Sequence, residues 1–139
     1  MNTTRRLAAL ALLGLLPALT ALAQANPAID GRLVGRWTHQ SMINSGGGAG
    51  GFASFSTERS IEFSASGQVQ QWVRSVGGGS NWSSNGGRKL EFAGRWEVRG
   101  NEIWVQPQGR ADTLRAGTYQ LSGPYLVTYG QDGRTIWQR

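Results

Sequence analysis

Beyond residue 25 the chain has no extended apolar pattern with the 3.6-residue period of a helix. It carries short runs rich in Val, Ile, Trp, Tyr and Thr, parted by Gly, Asn, Ser and Asp. There are eight of them, at about 32–43, 58–64, 68–76, 88–99, 102–108, 112–121, 124–129 and 133–139. This pattern predicts an all-β fold. The breaks have turn chemistry. Ser66-Gly67, Gly100-Asn101 and Asp132-Gly133 suit tight hairpins, because Gly and Asn accept positive φ. Pro107 suits the end of a strand, since it has no N–H for a ladder.

Residues 1–25 read as a signal peptide. Arg5-Arg6 is its basic start, 7–22 its apolar stretch and Ala23-Gln24-Ala25 its small-residue cleavage site. The apolar stretch is interrupted by Gly14 and Pro17 and is short for a membrane span. The mature domain is then 26–139, placed in the periplasm or secreted, with no span of its own. There is no cysteine, which excludes disulfides, thiolate metal sites and a Cys nucleophile. Basic residues outnumber acidic ones by 14 to 8, but the arginines are scattered. No nucleic-acid stripe results.

In the run 88–99, Leu90, Phe92, Gly94, Trp96 and Val98 alternate with Glu91, Ala93, Arg95, Glu97 and Arg99. One face is apolar and one is wet, as in an antiparallel strand over a core. In the first run Leu33, Gly35, Trp37, His39, Ser41 and Ile43 fall together. The runs 68–76, 124–129 and 133–139 declare no face. Eight hairpin-linked strands predict a closed up-and-down barrel, which removes exposed edges. A two-sheet sandwich is the alternative. In a meander the connections alternate between two ends. The two long ones, 44–57 and 77–87, follow the first and third runs and therefore share an end. That end is expected to be open, with Gly-rich mobile lids, and the other closed by tight turns.

Leu33-Val34-Gly35-Arg36-Trp37 resembles the Gly-x-Trp opening of lipocalin-like β-barrels. The C-terminal Arg134-Thr135-Ile136-Trp137-Gln138-Arg139 is similar to small secreted bacterial members of that group. The resemblance implies that Trp37, after Gly35, plugs the closed end. It also implies that an arginine of the last strand, Arg139 or Arg134, packs over Trp37. The cysteines and C-terminal helix common in that family are absent. Avidin-type biotin contacts are not matched by Trp37-Thr38-His39-Gln40-Ser41.

No catalytic constellation is visible, so an enzyme is not expected. His39 is the only histidine, and nothing singles out triad partners for it. Most carboxylates on strands, Glu91 among them, are expected to face outward, with no acid–base pair. No metal spacing occurs, and the glycine stretches lack the Lys-Ser/Thr and helix of a phosphate loop. No cofactor is implied. Candidate ligand contacts are the inward-facing His39, Ser41, Trp96 and Tyr119, with Trp82 as a lid. Trp82 is a large aromatic in an otherwise polar stretch, and Phe52 and Phe55 are similarly placed. Together these features predict an exported protein that binds a small apolar or amphipathic molecule at the open end. The competing reading is a solid barrel that binds or inhibits a protein through its loops or N-terminal tail.

Overall fold

A computed structural model describes residues 28–46 and 51–139. The expected leader and its cleavage site lie outside the described residues. The strands are β1 (Gly35–Ser45), β2 (Ala53–Phe63), β3 (Gln68–Gly79), β4 (Trp82–Asn85), β5 (Lys89–Arg99), β6 (Glu102–Pro107), β7 (Leu114–Ser122), β8 (Tyr125–Gly130) and β9 (Gly133–Gln138). No helix occurs among the described residues, and none there is long and apolar enough to cross a membrane. Eight strands close an antiparallel up-and-down barrel in the order β1-β2-β3-β5-β6-β7-β8-β9. The ninth, β4, pairs with β3 alone.

The barrel is filled at the end reached by the tight turns. Alternation sends Trp37, Phe63, Val69, Trp96, Ile103, Leu126 and Trp137 inward, and Leu33 joins them from below. Burying each such side chain contributes about 1.5–3 kcal/mol. The buried indole N–H groups are satisfied, Trp37 donating to the Leu33 carbonyl at 2.8 Å and Trp96 to the Ser64 carbonyl at 3.0 Å. The segment before β1 crosses this base, held by the Val98 N–H on the Ala28 carbonyl at 2.8 Å. The Arg139 guanidinium lies 4.5 Å from the centre of the Trp37 ring. It also donates to the carbonyls of Arg32 and Val34 at 2.6 and 3.1 Å.

The seam between β1 and β9 is thin. Backbone pairing is confined to Thr38 opposite Gln138. Next to it the His39 Nδ1–H donates to the Ile136 carbonyl at 2.8 Å. The imidazole meets the Trp137 ring at 5.8 Å and 61°. A carbonyl can only accept, so the proton sits on Nδ1.

Three expectations need correction. Half of the stretch 44–57 is strand: β1 continues to Ser45 and β2 begins at Ala53, paired residue for residue, while its glycine-rich tip, 47–50, lies outside the described residues. The stretch 77–87 is also largely strand, comprising the end of β3 and all of β4. The barrel wall therefore rises at the open end as a four-stranded arm, β1-β2-β3-β4, and the glycine stretch 77–79, expected in a loop, is part of it. Glycine permits this because the aromatic rings lie against its bare backbone. The third correction concerns Leu90, which leaves the apolar face. Register shifts between Gln71 and Trp72, so two residues of β5, Glu91 and Phe92, meet one of β3. Leu90 is thereby turned out and is 49% exposed.

Candidate ligand site at the open end

Cross-strand register sorts the inner wall into layers above the filled base. Lowest are Trp37, Ile61 and Gln71, in line across β1, β2 and β3. Next come His39, Arg59 and Val73, then Ser41, Thr57 and Ser75, then Ile43, Phe55 and Gly77. Trp82 lies opposite Gly79 one step further along the arm.

The top layer is an exposed aromatic platform. The Phe55 and Trp82 rings are 5.4 Å apart and inclined at 42°. A Cβ on Gly77 would fall 2.9 Å from the Phe55 ring and 3.2 Å from that of Trp82. One on Gly79 would collide with Trp82 Nε1. These glycines are thus the floor on which the rings lie. Ile43, Phe55 and Trp82 remain 71%, 49% and 41% exposed. Apolar surface left in water next to an opening is unusual enough to suggest a use. The arm contributes no ionisable side chain between Gln40 and Thr57 or between Ser75 and Gly87.

Two layers below is a charged cluster. The β5 bulge swings Glu91 to the side of Gln71, whose Nε2 donates to Glu91 Oε2 at 2.9 Å. Arg59 Nε stands 3.6 Å from the same oxygen. The expectation that strand carboxylates face outward therefore fails at Glu91. Arg59 was legible: Phe55, Thr57, Arg59, Ile61 and Phe63 share one phase of β2. Glu91 was not, because a bulge reverses the phase and leaves no local sequence mark.

The five candidate contacts do not assemble into one site. Ser41 and Trp82 belong to the open end. Trp96 is buried in the base, its ring 4.8 Å from Phe63. His39 is engaged in the β1–β9 seam. Tyr119 also lies at the base, its hydroxyl donating to Asp30 Oδ2 at 2.7 Å. Among the described residues no group of three or more His, Cys, Asp or Glu side chains is placed to hold a metal.

The Asp30 contact closes the barrel floor. Arg32 beside it holds the Asp30 carboxyl well below the usual carboxylate range, against partial burial and with help from Tyr119. Burial, then the bond to Asp30, pushes the Tyr119 hydroxyl up. A depressed carboxyl stabilises the fold above its unfolded pKa of about 3.9, and that contribution is lost as pH falls through the folded value. Asp30→Asn is expected to cost about 2 kcal/mol at neutral pH, the usual worth of hydrogen bonds to a charged group. Its Tm should also fall less steeply than that of the parent below about pH 4. Thermal melts by circular dichroism between neutral and acid pH measure both. Parallel profiles would count against the assignment.

No protein-family model matches the chain, and no curated protein matches it.

Proposed function

We propose that this chain is an exported, lipocalin-like binding protein that takes a small amphipathic molecule at the open end of its barrel. The observation that carries the reading is the Phe55–Trp82 platform on its glycine floor. It stands above the Arg59–Glu91–Gln71 cluster on the same wall. Four residue steps along β2 part Phe55 from Arg59, about 13 Å of strand. An apolar tail on the platform and a polar head at the cluster fit that spacing. Ser41, Thr57 and Ser75 supply hydroxyl groups between. Export rests on the leader reading of 1–25 and is part of the proposal.

The test is fluorescence titration with N-phenylnaphthylamine, then displacement by a saturated fatty acid and by its alcohol. Truncating one half-exposed ring removes about 1.4 kcal/mol of apolar contact, or tenfold in Kd. Phe55→Ala and Trp82→Ala are therefore each expected to weaken both ligands about tenfold. Arg59→Ala should weaken the acid and leave the alcohol nearly unchanged. Unchanged binding in the Phe55→Ala/Trp82→Ala double variant would overturn the reading.

A protein-interaction role is favoured by a different observation. β4 is paired on one side only, and so is β1 beyond the seam. Such edges accept an added strand from an extended peptide. Cross-linking in an envelope extract separates the two readings. A protein adduct at β4 that persists in the Phe55→Ala/Trp82→Ala variant supports the second.

A further inference from the structure

On the outer wall, β3, β5, β6 and the start of the β6–β7 connection form a concavity of about 400 Å³ that uses none of the open-end platform residues. Its volume is in the range of small-ligand sites. Register puts Gln68, Arg95 and Gln106 abreast on three neighbouring strands. In the next row the small Ala93 lies opposite Gln70. On its other side the Gln108 N–H donates to the Ala93 carbonyl at 2.9 Å. A short side chain between two long ones makes a trough. Gly94 draws the two strands together: a Cβ there would collide with the Gln106 carbonyl, so β5 and β6 approach as only glycine allows. The far wall is fixed, because Gln106 Nε2 donates to the Arg110 carbonyl at 3.0 Å.

The lining chemistry is selective. Four carboxamides, Gln68, Gln70, Gln106 and Gln108, line the trough. Gln68, Gln70 and Gln108 carry both donors and acceptors, as a sugar hydroxyl does, while Gln106, whose Nε2 donates to the Arg110 and Ala111 carbonyls, offers its Oε1; none carries charge. Arg110 is neutralised by Asp112 at 2.6 Å. Arg95, like Arg74, Arg88, Arg134 and Arg139, has no carboxylate within ion-pair distance among the described residues, whereas its neighbour in the groove, Arg110, has one. One guanidinium without a carboxylate partner among carboxamides suits a sugar ring with several hydroxyls and a carboxylate of its own. A smaller hollow shares Arg95 and Gln106 and continues to Trp104. It offers an indole edge for a second ring.

We propose that this outer groove binds an acidic saccharide of the uronate type, with its carboxylate on Arg95. The site is independent of the open-end ligand and uses none of its residues.

Calorimetric titration of the chain with digalacturonate tests it. Submillimolar binding is expected, weakened at least tenfold by Arg95→Gln, which loses a charge-assisted pair. Gln70→Ala and Gln108→Ala should each weaken it several-fold. The neutral digalactose should bind less tightly than digalacturonate to the parent and equally to parent and Arg95→Gln. Succinate, a carboxylate without hydroxyls, should not bind. Far-UV circular dichroism is expected to be unchanged in all three variants, since the altered side chains are on the outer wall. Absence of heat at millimolar digalacturonate overturns the proposal. So does binding that survives Arg95→Gln, or succinate binding as tightly as the sugar.

Discussion

Trp37→Ala is expected to destabilise the protein by about 3–5 kcal/mol, the cost of deleting a large aromatic from a packed core. That is a large share of the 5–15 kcal/mol typical of a whole domain. Three losses coincide. The ring is 2% exposed and sits among the base residues, so its removal leaves a cavity. The Leu33 carbonyl loses its indole donor. The Arg139 guanidinium loses the ring 4.5 Å beneath it, although its two carbonyl acceptors remain. Chemical unfolding followed by circular dichroism gives the value without relying on tryptophan emission. Trp37→Phe keeps most of the packing and the stacking surface but not the N–H. It should cost about 1–2 kcal/mol. A Trp37→Ala cost below about 1 kcal/mol would mean that the base is not the main source of stability.

Gly117→Ala is the second large effect, expected at about 3 kcal/mol. Gly117 is buried on β7 opposite Ile103, beside the extra residue Ala116 that shifts the register with β6. Its φ is +153°, and an added Cβ would run into the Tyr129 carbonyl of β8. That obstacle is backbone within a paired strand, so relief requires β7 and β8 to part. Gly123→Ala is the matched control. Its φ is +56°, but nothing lies within 4 Å of the added methyl. It should cost only the left-handed penalty of about 1–2 kcal/mol. Denaturant midpoints of the two variants measure the difference. Equal costs would show that φ, and not the contact with Tyr129, sets the requirement for glycine.

The period-two runs and their turn residues suffice for a closed meander, because each run must bury one face and no helix pattern competes. Pro107 marks the end of β6, as its missing N–H demands. Connection parity separates a tight end from an open one. The character of the open end was not legible. Glycine-rich stretches read locally as loops, and only the neighbouring Phe55 and Trp82 rings make Gly77 and Gly79 a strand floor.

The residues of the open end divide in the same way. Alternation along β2 already puts Arg59 in phase with Ile61 and Phe63. Its partner Glu91 turns inward only through a bulge between β5 and β3, a long-range event. Trp96 and Tyr119 are inward by pattern, but their height within the barrel depends on strand register, which puts both at the base. Local pattern thus selects the face of a strand, since side-chain direction alternates along the backbone itself. Height, bulges and the pairing of distant charges come from how the strands slide against one another, which is set by contacts between residues far apart in the chain.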